Sequence, residues 1–208
     1  WIIGIASGTI LFNLSNAGGE AGHLGGIIMG AIIMLAWKLH DKLKAIGYDG
    51  HDLELYLVRL LFCLFADDST IFNKNIFYDY IYTHSAEDGS NLASVINEIF
   101  EILNTPTDKR LKNISEELNA FPYVNGKLFE ERLPLASFDS TMRNIILECS
   151  TLDWGKISPS IFGSMFQGVM NPEKRRNLGA HYTSERNILK LIKPLFLDDL
   201  WSEFEKVK

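Results

Sequence analysis

A glycine-led loop close to the end of the chain carries the residue types best suited to binding a ligand. The loop consists of Gly179, Ala180, His181, Tyr182, Thr183 and Ser184. A helix pattern follows, with apolar residues at the spacing of one helix face: Ile188, Leu191, Ile192 and Leu195. Thr183 or Ser184 can cap that helix, and free N–H groups at a helix N-terminus attract anionic ligand groups. This pattern alone is weak evidence for a ligand site, because most capped helices bind no ligand.

Positive charge is concentrated around the same loop. The basic residues are Lys174, Arg175, Arg176, Arg186, Lys190 and Lys193. Such a cluster can neutralise DNA phosphates, or it can be a solvated face. The prediction of a DNA contact rests on Lys174, Arg175, Arg176 and Arg186. The whole chain has a net charge of −6, which argues against a wide DNA-gripping surface, because free-standing DNA binders usually show a basic patch.

Four stretches of the chain resemble one family of DNA-modifying enzymes. The loop at 179–184 (GAHYTS) resembles the motif that opens the methyltransferase domain of adenine-N6 DNA methyltransferases. Residues 60–68 (LLFCLFADD), 121–126 (FPYVNG) and 161–167 (IFGSMFQ) are similar, in order and spacing, to the helical spacer of MmeI-like restriction–modification enzymes. The resemblance runs from about residue 39 to residue 208, and it is specific because four separate blocks agree in order.

The resemblance implies a substrate and a cofactor for the parent enzyme. In that family the GAHYTS-type loop closes one side of the S-adenosylmethionine pocket, so Gly179 to Ser184 are the implied cofactor-binding residues. Double-stranded DNA and other domains of the same polypeptide are the implied partners, in the bacterial cytoplasm. The sequence contains neither the family's glycine-rich cofactor loop nor its Asn-Pro-Pro-aromatic loop for a flipped adenine. Methyl transfer needs both, so the chain is expected to be an inactive fragment, with a non-catalytic helical scaffold as the alternative.

The first 37 residues have a different character. They are apolar, with Glu20 and His23 as the only ionisable side chains. Residues 16–30 resemble the last membrane helix of rhomboid intramembrane proteases, with His23 at the position of the catalytic base. No credible serine nucleophile accompanies it, and a base without a nucleophile cannot run acyl transfer. The segment is predicted as an apolar helical hairpin that can contact a membrane, although each apolar run is shorter than the roughly 20 residues of a full span.

The elements that must position the loop are predicted to be helices. Residues 51–65 are apolar nearly all round, which predicts a central buried helix. A helical stripe over 92–104 ends at Thr105 and Pro106, and further helices are predicted over 38–46, 71–82, 161–170 and, after Ser140, through Met142 to Cys149. The Asn-Gly dipeptide within 121–129 suggests a small hairpin.

Charged and sulfur-containing residues of this region are predicted to be structural. Arg59 is expected to pair with a carboxylate rather than with nucleic acid. Asp67 and Asp68 could suggest metal or nuclease chemistry, but no lysine-bearing nuclease strand accompanies them. The basic run at 109–112 is predicted as a solvated face. Cys63 and Cys149 lack metal-ligand spacing and are predicted as buried thiols. No catalytic residue and no metal site are predicted in the chain.

The predicted fold class is mainly α. The predicted architecture is a helical bundle that ends at the first helix of an absent α/β methyltransferase domain. The predicted domains are an apolar hairpin at 1–37, a helical spacer at 38–176 and the start of the methyltransferase domain at 177–208.

Overall fold

A computed structural model describes residues 37–124, 127–156 and 185–207. The apolar hairpin, with His23, and the predicted helix at 161–170 therefore lie outside the described residues. In the part of the chain that the structure describes, no helix is both long enough and apolar enough to cross a membrane.

The described chain is helical, and no strand occurs within it. Residues 37–45 form α1, which precedes α2 (Gly50–Asp68), α3 (Ile76–His84), α4 (Leu92–Asn104), α5 (Glu116–Asn119) and α6 (Ser140–Ser150). After the gap, α7 (Glu185–Ile192) and α8 (Asp198–Val207) are joined by a π-helical turn, Lys193–Leu197. The mainly α prediction is therefore confirmed.

Helix α2 is the centre of the bundle, as its apolar circumference predicts. Twelve of its residues are buried, including Tyr56, Cys63 and Ala66, which have no exposed surface. The Tyr56 ring lies edge-on to Tyr48 and to Phe100 of α4, at centroid distances of 5.7 and 5.5 Å. Helix α3 packs against α2, α4 and α6. One apolar core therefore holds the described bundle together.

Helix α3 begins five residues later than the predicted start at residue 71. The chain turns first, and Thr70 and Asn75 take positive φ angles of 64° and 63°. The first amides of α3 are bound by a side chain from another helix, because Asp67 at the end of α2 accepts hydrogen bonds from the N–H groups of Phe77 and Tyr78 at 3.0 and 3.4 Å. A tertiary contact of this kind leaves no mark in the local sequence pattern.

The small hairpin expected at 121–129 is wrong for the described part of that stretch, which contains no strand. Phe121 and Phe129 are buried in the core instead. The N–H of Val124 donates to the carbonyl of Leu103 at 2.8 Å, so the segment is tied to the end of α4. The tip of the predicted turn, residues 125–126, lies outside the described residues.

A close backbone contact joins the α3–α4 turn to α6. Gly89 has a φ of +79°, and a Cβ atom placed there would lie 2.5 Å from the carbonyl oxygen of Asp139. Only glycine fits this approach without a backbone shift. Asp139 in turn caps α6, because its carboxylate accepts from the N–H of Met142 at 2.7 Å.

Candidate functional site

Of the predicted ligand site, the structure describes only the helix that follows the loop. Gly179, Ala180, His181, Tyr182, Thr183 and Ser184 lie outside the described residues, and so do Lys174, Arg175 and Arg176. Arg186 lies in the first turn of α7. The helix predicted after the loop is present, and its first residue, Glu185, directly follows Ser184.

The helical segment does not end at Pro194 but continues through a π-helical turn into α8. Pro194 lies in the π-helical turn between α7 and α8, and proline cannot donate the backbone hydrogen bond of a regular helix. Lys190 and Lys193, both predicted near the basic cluster, are solvent-exposed. Large apolar side chains of α7, the π-turn and α8 are exposed as well: Ile188, Leu191, Leu195, Phe196, Leu200, Trp201, Phe204 and Val207. The described residues of the bundle leave most of this apolar face exposed.

Arg59 is buried and donates its hydrogen bonds to backbone carbonyls, while the predicted pairing with a carboxylate is present only as the electrostatic effect of the nearby Glu131. Its guanidinium donates from Nε to the Leu128 oxygen at 2.7 Å and from Nη2 to the Glu131 oxygen at 2.6 Å. The same group lies 5.6 Å from the ring centroids of both Phe100 and Phe129. Burial lowers the pKa of Arg59, while the nearby Glu131 carboxylate opposes that shift. Arg59 therefore clamps the non-helical segment after residue 127 onto the bundle.

Arg110 has a structural role that sequence reasoning missed. Its guanidinium donates to the carbonyls of Ile102 and Thr105, both at 3.2 Å, at the C-terminal end of α4. A third contact reaches the carbonyl of Asn119 at 2.9 Å. The last carbonyls of a helix lack intrahelical partners, and a basic side chain can satisfy them. Lys109 and Lys112 are exposed, so the solvated-face prediction fits them but not Arg110.

Arg143 is the third arginine used inside the bundle. It is buried on α6, donates from Nε to the Ser85 hydroxyl at 2.7 Å and from Nη2 to the Tyr82 carbonyl at 3.2 Å. Its guanidinium also lies 5.9 Å from the Tyr82 ring centroid. Arg59, Arg110 and Arg143 therefore all donate hydrogen bonds within the bundle.

Asp67 and Asp68 both accept hydrogen bonds from backbone amides. Asp67 holds the start of α3, as described above, and Asp68 accepts from the N–H of Trp154 at 2.9 Å. Burial raises the pKa of Asp67 to about 6, and the hydrogen bonds from Phe77 and Tyr78 oppose that rise. Across residues 37–124, 127–156 and 185–207, no group of three or more His, Cys, Asp or Glu side chains could hold a metal ion.

The two cysteines are buried thiols, as predicted. Cys63 and Cys149 are both buried and free. Burial raises the pKa of both thiols, for Cys149 to about 12. A thiol is a weak nucleophile until it loses its proton, so neither side chain is suited to covalent catalysis.

The aromatic residues of α3 mostly pack, and they are not interleaved with basic side chains. Phe77 and Tyr80 are buried, and the Tyr80 hydroxyl donates to Glu98 at 3.0 Å. The rings of Tyr78 and Tyr82 stack at a centroid distance of 5.8 Å. Acidic residues outnumber basic ones over 37–156. The described bundle therefore lacks the basic, aromatic groove typical of single-strand binding.

Comparison with known proteins identifies relatives of this chain. Residues 51–129 match a family model described as the MmeI helicase spacer domain. The chain is 48% identical over 154 residues, 73% of its length, to DNA methyltransferase A of Bacillus subtilis (strain 168), of which it covers 17%. It is also similar to the solved structure of the Type IIL restriction-modification enzyme MmeI in complex with DNA. That match has 66% identity and a TM-score of 0.63, over 86% of this chain and 24% of the other. The chain therefore spans less than a quarter of the length of either relative.

Proposed function

The chain belongs to the MmeI-like restriction–modification methyltransferases, and from that premise we propose that it supplies the helical spacer and the cofactor-loop entry of a DNA adenine-N6 methyltransferase. The spacer extends over 38–176 and the methyltransferase domain begins at 177. Similarity to two much longer enzymes of DNA modification is the observation that carries the proposal. These relatives also favour it over the rhomboid alternative, which concerned residues 1–37 alone.

The bundle connects domains and does not catalyse. Arg59, Arg110 and Arg143 are all used for backbone carbonyls or a hydroxyl inside the fold. Cys63 and Cys149 are buried thiols. The remaining role is structural, because the helical bundle fixes the distance between the parts of the enzyme on either side of it.

The loop from Gly179 to Ser184 forms one wall of the S-adenosylmethionine pocket in the complete enzyme. Support comes from the helix that begins at Glu185, immediately after the loop, since free N–H groups at a helix start suit the anionic carboxylate of that cofactor. Lys174, Arg175, Arg176 and Arg186 contact DNA phosphates beside it. S-adenosylmethionine supplies the methyl group, and duplex DNA supplies the adenine.

A chimeric enzyme tests this function. Residues 39–208 replace their counterpart in Bacillus subtilis DNA methyltransferase A, and incorporation of labelled methyl groups into duplex DNA is measured, with the methylated base identified by chromatography. We expect N6-methyladenine from the chimera. The variant with His181→Ala and Tyr182→Ala should raise the KM for S-adenosylmethionine, because it removes side chains from the pocket wall.

Lys112→Ala is the matched control, since Lys112 is exposed and distant in sequence from the loop. It should leave the KM unchanged. Circular dichroism confirms that each chimera is folded before the kinetics are read. A folded chimera that incorporates no methyl groups would refute the spacer role, and an unchanged KM in the double variant would refute the assignment of the loop.

The chain alone should neither methylate DNA nor hold S-adenosylmethionine tightly. A single loop cannot offset the loss of ligand freedom on binding. Calorimetric titration of the chain with S-adenosylmethionine measures this directly, and micromolar affinity would contradict it.

A further inference from the structure

We propose that a small cavity beside Arg59, named the Arg59 cavity, binds one inorganic phosphate ion. Its volume is about 240 Å³, and its polar lining consists of Arg59, Asn97, Glu101, Glu131 and Arg132. These residues come from α2, from α4 and from the non-helical segment after residue 127, so the cavity is formed within the bundle itself. Such a site is additional to the proposed function and independent of it.

Arg59 lines the cavity and has hydrogen-bond donors that the fold does not use. A guanidinium carries five N–H groups. Nε and Nη2 donate to the carbonyls of Leu128 and Glu131, and no residue that the structure describes accepts a hydrogen bond from Nη1. In the same part of the chain, the side-chain atoms that are both fully enclosed and without a partner belong to Tyr56 and Ser69. Nη1 is therefore accessible, and it can donate to a small ligand in the cavity.

The two arginines of the cavity have no carboxylate partner in the described chain. Neither Arg59 nor Arg132 has a described carboxylate oxygen within 4.0 Å. Arg132 is exposed to solvent, whereas only 2% of Arg59 is exposed. A buried charge is costly unless a group of opposite charge pairs with it. An oxyanion in the cavity supplies that charge, and guanidinium groups bind oxyanions through strong, charge-assisted hydrogen bonds.

The guanidinium of Arg59 is held in position before any ligand binds. It lies 5.6 Å from the ring centroids of both Phe100 and Phe129, which are buried. The two hydrogen bonds to backbone carbonyls fix its orientation further. A side chain that is already ordered loses little conformational freedom when a ligand binds. The bundle therefore presents Nη1 to the cavity at a low entropic cost.

The glutamates of the cavity determine which oxyanion fits. The carboxylate of Glu131 lies 3.7 Å from the His51 ring, while Glu101 forms no ion pair with any described residue. A carboxylate repels a fully ionised anion, but it accepts a hydrogen bond from an anion that keeps a proton. Inorganic phosphate keeps at least one proton at pH 7, whereas sulfate and the phosphodiesters of DNA keep none. The cavity should therefore select phosphate over sulfate.

Calorimetric titration of the full chain at pH 7 and constant ionic strength tests the site, with inorganic phosphate, sulfate and methyl phosphate as the probes. A ligand of five heavy atoms binds weakly, so we expect a Kd for phosphate on the order of 1 mM. Sulfate should bind at least about tenfold more weakly, because it cannot donate to Glu101. Methyl phosphate is mostly without its proton at pH 7, and it should also bind more weakly than inorganic phosphate.

Arg132→Ala is the decisive variant, because Arg132 is exposed and its removal should leave the chain folded, whereas Arg59 also holds the segment after residue 127. This variant should weaken phosphate binding about tenfold. Lys112→Ala is the matched control, since Lys112 is an exposed cation that does not line the cavity, and it should bind phosphate like the wild type. Glu101→Gln should bring the Kd values of phosphate and sulfate to within about threefold, because a neutral amide does not repel sulfate.

Four results would each overturn the proposal. The wild-type chain could show no saturable binding of phosphate in the millimolar range, or it could bind sulfate as well as phosphate, as a general salt effect would produce. Methyl phosphate could bind more tightly than inorganic phosphate, which would contradict selection for the proton. Arg132→Ala and Lys112→Ala could weaken phosphate binding equally, which would place the ion outside the Arg59 cavity.

Discussion

Replacing Asp67 by asparagine should change how the stability of the chain depends on pH. The Asp67 carboxyl is 6% exposed, and burial raises its pKa from 3.8 to about 6. Between these two values the unfolded chain has lost the proton while the folded chain retains it. The folded state then binds more protons, so the Asp67 contribution is fully present below pH 3.8 and is lost as the pH rises through about 6.

The size of the effect follows from the shift. A rise of about two pKa units corresponds to about 3 kcal/mol, since each unit is worth about 1.4 kcal/mol. Asp67→Asn keeps the shape of the side chain and one oxygen acceptor for the N–H of Phe77, but it cannot ionise. The variant should match the wild type at pH 4 to within about 1 kcal/mol. It should be more stable than the wild type by up to about 3 kcal/mol at pH 7.

Urea unfolding followed by circular dichroism at several pH values between 4 and 8 measures this difference. Other groups also titrate in this range, so the informative quantity is the free energy of unfolding of the variant minus that of the wild type at each pH. Asp108→Asn is the matched control, because Asp108 is an exposed carboxylate that is not among the groups shifting the pKa of Asp67. A difference that stays constant with pH, or that grows in favour of the wild type, would refute the reasoning.

Substitutions at three further positions probe the contacts that hold the bundle. Arg59→Met should lower the free energy of unfolding by about 2 kcal/mol, because two part-buried carbonyls lose their donors, and urea titration checks this. Arg110→Ala should cost about 2 kcal/mol in the same assay by leaving the last carbonyls of α4 without side-chain donors. Asp139→Ala should cost about 1 kcal/mol through loss of the α6 cap, whereas Asp139→Asn should cost less because an amide oxygen can still accept. The pKa of Asp139 is lowered mainly by the Met142 N–H bond, so this cap should weaken as the pH falls through the acidic range.

Periodicity predicted the helices whose apolar faces are regular. Helices α2, α4 and α6 were all predicted to within a few residues, because each buries a continuous stripe and ends at a local signal such as Thr105 and Pro106. Helix α3 was placed five residues early, since its start depends on Asp67 from another helix. Local patterns cannot report a cap that arrives from elsewhere in the chain.

The roles of the arginines were harder to predict for the same reason. Arg59 contacts carbonyls 69 and 72 residues away along the chain, and nothing in its neighbourhood marks those acceptors. Arg110 did carry a usable signal, because a basic residue shortly after a helix end often binds the last carbonyls. The type of the ligand loop could be predicted from its resemblance to a family motif, but its geometry stays a prediction, because 179–184 lie outside the described residues.

The Arg59 clamp also bears on the order in which the chain becomes protected from solvent. The segment that it holds near Leu128 and Glu131 has no helix of its own and is anchored to a residue about 70 positions earlier. Closing so long a loop costs entropy that is recovered only when α2 and α4 have already docked. This segment should therefore join the fold late and open first. In hydrogen exchange, its amides should exchange through a local opening, whereas the amides in the middle of α2 should exchange only through global unfolding.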